Sequence, residues 1–193
     1  MTAPMTPPVR TILSAAEAID ALWHAHQNVI GGPCPTSLLE ILAAQSALET
    51  GRWKACWNFN FGNIRGHGPD GAWTSIKGAS EIIDSKEVFY DIGPDNMFAA
   101  YHDRIAGAEG LVRFLGVASH PPKPNRYQLA WDAAIDGDVG KYCSELRANE
   151  YFTADLALYS KGVRGTVEWL KEGPMPEFLD SLQPAPELPP NAG

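Results

Sequence analysis

The chain has 193 residues, 45% of them hydrophobic and 20% charged, which is enough to bury a core and fits one domain better than two. A formal charge of −8 and a pI near 5.0 argue against nucleic acid or an anionic membrane surface as partner, since both need a positive field to offset phosphate charge. No apolar run approaches the ~20 residues of a membrane span, and residues 1–10 lack the apolar centre of a cleaved signal peptide, so neither membrane insertion nor standard export is expected.

Residues 1–10 carry prolines at 4, 7 and 8, and residues 173–193 carry them at 174, 176, 184, 186, 189 and 190. Both ends are expected to be extended, disordered segments, leaving residues 11–172 as the folded domain. Ser14 and Glu17 form an S-x-x-E capping pattern ahead of Ile19, Leu22, Trp23 and His26 at helical spacing, which predicts a first helix ending near Gly31 and Gly32. Ser37 and Glu40 repeat that pattern and Gly51 supplies a stop, so a second helix is predicted over 37–51. Between 62 and 101 the texture changes to glycines, an Asp70-Gly71 turn and short β-prone runs at 73–76, 81–83 and 87–92. Helical periodicity then resumes over 106–117, 127–135, 139–146 and 156–170, the last with Leu156, Tyr159, Val163, Val167 and Leu170 along one side. The fold class is therefore mainly α, in the α+β sense: a helical domain with a small β or loop lobe, and a groove between the two as the natural ligand site.

Three cysteines, Cys34, Cys56 and Cys143, give an odd count with no C-x-x-C spacing. Free thiols are expected, a Cys34–Cys56 bridge being the one pairing left open. His24 and His26 are two apart, which splays their rings by about 200° on a helix and makes a poor metal pair. The aspartates over 132–138 lack the glycine and final glutamate of a calcium loop. No metal or cofactor is expected, and no G-x-S-x-G, phosphate loop or Cys-His arrangement supports esterase, nucleotidase or peptidase chemistry.

One residue departs from the pattern of its helix. At about 100° per residue, Leu38, Leu42, Gln45 and Glu49 share roughly 60° of arc, with Ile41 and Leu48 beside them. A carboxyl group projecting inward with leucines is hard to ionise, and so can hold a proton near neutral pH for a leaving group. The competing reading turns Glu49 to solvent at a frayed helix end, paired with Arg52 or Lys54. Residues 52–66 follow at once with Trp53, Trp57, Phe59 and Phe61 among Asn58, Asn60 and Asn63. Such a segment suits a sugar-binding wall, with ring faces for pyranose C–H surfaces and amides for hydroxyl and acetamido groups, and equally suits a loop that closes the core.

The run Ala44-Gln45-Ser46-Ala47-Leu48-Glu49-Thr50-Gly51, followed by Asn58-Phe59-Asn60-Phe61-Gly62-Asn63-Ile64-Arg65-Gly66, resembles the A-Q-x-x-L-E-[ST]-G and N-x-F-G-[IN]-[KR]-G signatures of glycoside hydrolase family 73, the peptidoglycan N-acetylglucosaminidases of the lysozyme superfamily. Met97-Phe98-Ala99-Ala100-Tyr101 and Glu150-Tyr151-Phe152-Thr153-Ala154-Asp155 look like two later stretches of the family, so that the resemblance covers about residues 37–170. It implies a lysozyme-like helical domain with a β lobe flanking the cleft, and Glu49 as the general acid that protonates the glycosidic oxygen. It further implies Glu81 as the best candidate for a second carboxylate, with Glu87, Asp84 and Asp70 open, and Trp57, Asn60, Phe61, Asn63, Arg65, Tyr151 and Asp155 as substrate-binding residues. Arg65 stands where the family more often has lysine, Glu150 where it prefers glycine, and one residue is inserted before Asp155.

The expected activity is cleavage of the peptidoglycan glycan strand without a cofactor, by an endo-β-N-acetylglucosaminidase. A muramidase, a lytic transglycosylase, or an inactive glycan-binding or structural module of a phage or secretion apparatus are the alternatives. The chain is expected to be a monomer made in the cytoplasm. It would reach the periplasmic or extracellular wall by holin release, on a virion or by specialised secretion, with an immunity protein as partner in the last case.

Overall fold

The computed structural model of the chain describes residues 5–83, 86–117 and 124–183, with residues 80–83, 86 and 87 described by their backbone. Seven helices occur among them: α1 (Ala15–Val29), α2 (Thr36–Glu49), α3 (Arg104–Gly116), α4 (Gln128–Ile135), α5 (Val139–Ala148), α6 (Leu156–Glu172) and α7 (Pro174–Ser181). Short strands β1 (Arg10–Thr11), β2 (Cys56–Trp57), β3 (Trp73–Thr74), β4 (Ser80–Ile83), β5 (Lys86–Phe89) and β6 (Phe98–Ala99) pair as three antiparallel ribbons, β1 with β2, β3 with β6 and β4 with β5. No helix among the described residues is long and apolar enough to cross a membrane.

The order of α1 to α6, with the β lobe between α2 and α3, matches the sequence reading, whereas β1, β2 and α7 were not expected, and α1 begins as its cap predicts. Ser14 accepts the Glu17 N–H while the Glu17 carboxylate accepts the Ser14 N–H at 2.8 Å. Helix α2 differs from the one-sided stripe expected of it. Leu38, Leu39 and every residue from Ile41 to Ala47 are buried, because α1, α4 and α6 enclose it as the central helix of the domain, whereas Leu48 is 37% exposed. Its predicted capping box does not form either. The helix starts at Thr36 after Pro35, so Ser37 lies inside the first turn and donates to the Ile135 carbonyl at 2.5 Å, while Glu40 pairs with Lys171 at 3.0 Å. The stop is as predicted: Gly51 takes φ 58°, and the Arg52 N–H returns to the Ala47 carbonyl at 2.6 Å.

Among the described residues, 5–11 and 174–181 of the two proline-rich ends take defined structure. Residues 5–11 strap the loop after α2 to the β lobe. Met5 bridges Trp73, the Thr6 N–H meets the Trp73 carbonyl at 2.7 Å, and Asn58 accepts the Val9 N–H and donates to the Pro7 carbonyl, each at 3.0 Å. Proline lacks a donor but keeps its carbonyl, so a proline-rich segment still satisfies a loop that presents donors. At the other end Pro174 and Pro176 occupy the first turn of α7, where an N–H is not needed, and Met175 and Phe178 are buried against α1 and α6.

Candidate active site

A cleft of about 810 Å³ lies where the helical body meets the β lobe. Glu49, Gly62, Tyr151, Phe152 and Tyr159 line it from the helical side, and Trp57, Asn63, Arg65, Ile76 and Phe98 from the loop after α2 and the β lobe. Its size and mixed lining suit a ligand with apolar faces and polar edges.

Glu49 is the last residue of α2 and is partly buried. Burial raises the pKa of its carboxyl above the ordinary 4.5, while hydrogen bonds from Tyr159 and Asn63 act in the opposite direction. The Tyr159 hydroxyl, from the first turns of α6, donates to Glu49 Oε1 at 2.9 Å. The Tyr159 ring is stacked on Phe152 at 3.8 Å and 15°. Asn63 donates to the Glu49 main-chain carbonyl at 2.7 Å, closing one of the carbonyls that a helix end leaves open.

Two further tyrosines surround this carboxyl. Tyr142 on α5 donates to Gln45, one turn before Glu49, and Tyr151 donates to the Gly62 carbonyl at 3.1 Å. Burial first, and the charge of Glu49 as well, raise the pKa of Tyr142, Tyr151 and Tyr159 well above the usual tyrosine value, so all three keep their protons and serve as donors. Gly62 is required for this packing, since a Cβ there would lie 2.8 Å from Leu111 and 3.1 Å from the Tyr151 hydroxyl.

The sequence-predicted residues separate into those at the cleft and those beneath or beyond it. Glu49, Trp57, Asn63, Arg65 and Tyr151 line it, with the Arg65 guanidinium 4.9 Å from the Tyr90 ring and 5.1 Å from the Phe98 ring. Asn60 does not face it. At 2% exposure, its amide donates to the carbonyls of Ile64 and Ala99 at 2.9 and 3.0 Å and its oxygen accepts the Ile64 N–H at 2.8 Å, so it knits the loop to β6. Phe61 is fully buried in the core, and exposed Asp155 caps α6 by accepting the Leu158 N–H at 2.9 Å. Of these three, Asn60 is the one that satisfies the buried loop backbone.

Glu81 sits on β4 opposite Val88, in the segment that follows cleft-lining Ala79. Its side chain and that of Glu87 lie outside the described residues, as does Asp84 altogether, and Asp70 is exposed beside His102.

Tyr159, Phe152, Tyr127, Phe114 and Glu150 also belong to the site's surroundings and were not read as site residues from the sequence. Tyr159 falls on the apolar stripe of α6, and its one signal was a polar hydroxyl among residues that have none. All three cysteines are free. Among the described residues, no group of His, Cys, Asp or Glu is arranged to hold a metal ion.

No family model and no curated protein matches the chain. Two solved structures share its fold. The mutant peptidoglycan hydrolase from Sphingomonas sp. A1 has a TM-score of 0.57 at 19% identity, covering 86% of this chain and 99% of that one. The catalytic domain of an autolysin from Listeria monocytogenes has a TM-score of 0.52 at 19% identity, covering 85% of this chain and 82% of that one. The architecture is accordingly the lysozyme-like one: a mainly helical domain with small antiparallel β ribbons beside a cleft.

Proposed function

We propose that the chain is a glycosidase that cleaves the glycan strand of peptidoglycan, with Glu49 as the general acid. The observation that carries this reading is the Glu49 carboxyl itself, which ends a buried helix at the cleft with its pKa raised by burial. A protonated carboxyl in that position can deliver its proton to the glycosidic oxygen as positive charge develops on the sugar ring. The substrate class is supported by the peptidoglycan hydrolase and the autolysin that share the fold, and the cleft's aromatic rings and amides suit N-acetylated sugars.

The finer reading is an endo-β-N-acetylglucosaminidase, which rests on the two-motif resemblance around Glu49 and Asn63. Glu81, on the strand next to cleft-lining Ala79, is proposed as the second carboxylate. In a substrate-assisted route the sugar's N-acetyl oxygen would attack the anomeric carbon and Glu49 would suffice as acid.

Digestion of purified sacculi tests the assignment. Glu49→Gln should slow product release by about 10²–10⁴-fold, the range of general-acid catalysis, and digestion at the parental rate would overturn the role given to Glu49. Mass spectrometry of the fragments separates the bond cleaved. Reducing-end N-acetylglucosamine supports the finer reading, whereas reducing-end muramic acid or 1,6-anhydro products replace it by a muramidase or a lytic transglycosylase.

A further inference from the structure

A general acid works only if its proton sits on the oxygen that faces the leaving group, and a carboxyl has two oxygens. The structure distinguishes them at Glu49: Oε1 accepts the Tyr159 hydroxyl at 2.9 Å. An oxygen already receiving a proton donor has less affinity for a proton of its own, so the acid proton is directed to Oε2. A hydroxyl has one proton to give, and that of Tyr159 is given to Glu49.

The tyrosine is itself held in place. Its ring lies face to face with Phe152 at 3.8 Å, and its backbone N–H is tied to the Asp155 carbonyl at 3.0 Å in the first turn of α6, the helix packed along α2. Its ring is only 9% exposed, so little water competes for the carboxyl on that side. We propose that Tyr159 is the positioning residue of the catalytic acid: it fixes the Glu49 carboxyl in one orientation and assigns the transferable proton to the oxygen opposite its own hydrogen bond. This rests on the role of Glu49 given above and adds to it a residue on a different helix, 110 positions away in sequence.

The groups around Glu49 set the sign of the pH effect. Tyr159 from α6 donates to it, Tyr142 from α5 and Tyr151 from the segment before α6 stay neutral beside it with their protons given to Gln45 and to the Gly62 carbonyl, Asn63 bonds it from the loop after α2, and Arg65 and Glu150 are the other charged residues lining the cleft among those described. The Tyr159 bond favours the carboxylate over the acid, so removing it raises the Glu49 pKa.

The test compares the parent, Tyr159→Phe and Glu49→Gln on a soluble peptidoglycan fragment across pH. Tyr159→Phe should lower kcat by about 10–100-fold through lost orientation with KM changed less than about twofold. It should also move the alkaline limb of the kcat profile upward by about one pH unit. An unmoved or downward-shifted limb, or a parental kcat, overturns the proposal. If Glu49→Gln is inactive while Tyr159→Phe behaves as the parent, only the role of Tyr159 falls. If Glu49→Gln is active, the reading of the acid falls with it.

Replacing Tyr159 by 3,5-difluorotyrosine keeps the ring and guards against a folding defect in the phenylalanine variant. The more acidic hydroxyl strengthens the donated bond and should shift the same limb to lower pH. A limb that stays in place refutes the assignment.

Discussion

Asn60→Ala tests whether the aromatic and amide-rich loop was built for the ligand or for itself. Three hydrogen bonds at 2.8, 2.9 and 3.0 Å end on this one buried side chain. On truncation the Ile64 carbonyl keeps a partner, because the Ala99 N–H reaches it at 2.9 Å, whereas the Ile64 N–H loses the acceptor it has. Two neutral bonds at about 1 kcal/mol each, plus about 1–3 kcal/mol for a stranded buried donor, give a loss of about 3–5 kcal/mol. Against a total of about 5–15 kcal/mol this is a large fraction. In urea, with a slope of about 2 kcal/mol per molar, the unfolding midpoint should fall by about 1.5–2.5 M with the slope unchanged. The surviving folded protein should bind chitooligosaccharide as the parent does. A midpoint shift below about 0.5 M combined with weakened sugar binding would refute the reasoning and return Asn60 to the substrate wall.

Stability should also report the Glu49 carboxyl. Its folded pKa lies above 4.5, so its favourable contribution is complete below the unfolded value and is lost as pH rises through the folded one. Glu49→Gln should therefore melt with the parent near about pH 4 and above it near about pH 8; parallel melting curves across that range would contradict the buried acid. Asn58 combines φ 47° with side-chain bonds to the strap at Pro7 and Val9, so Asn58→Ala loses the bonds and keeps the strain while Asn58→Gly loses only the bonds. Calorimetry should place the glycine variant about 1 kcal/mol above the alanine variant, and the reverse order would count against strain at this position. Burial pushes the Cys34 and Cys56 thiols up to about 12 and raises Cys143 as well, so a thiol reagent should react slowly with native protein and count three thiols after unfolding. Fewer than three would indicate a disulfide.

Much of the helical body was legible in the sequence because its cues are local. The Ser14–Glu17 box, the Gly51 stop and the stripe of Tyr159, Val163, Val167 and Leu170 each act within a few residues and appear in place, whereas Leu156, expected on the same stripe, is exposed at the start of α6. The second capping box failed for a non-local reason: the Ile135 carbonyl and Lys171 take the side chains of Ser37 and Glu40. How the described parts of the two ends are held was not legible, because composition records prolines and not the neighbours that accept them, such as Asn58 for residues 7–9 and the α1–α6 surface for α7.

At the site, sequence alone singled out Glu49, since a carboxylate in phase with leucines is visible from helical geometry. It also marked the loop after Gly51 as special, but residue type could not say which amides face a ligand. Asn60 turns inward to satisfy the buried loop backbone and Phe61 to join the apolar core, while Asn63 lines the cleft and bonds the Glu49 carbonyl; those demands are set only when β6 and α2 close around the loop. Likewise only the packing of α6 on α2 brings Tyr159 to Glu49. Local chemistry determined where the Glu49 carboxyl stands; long-range packing decided what holds it and which groups share the cleft with it.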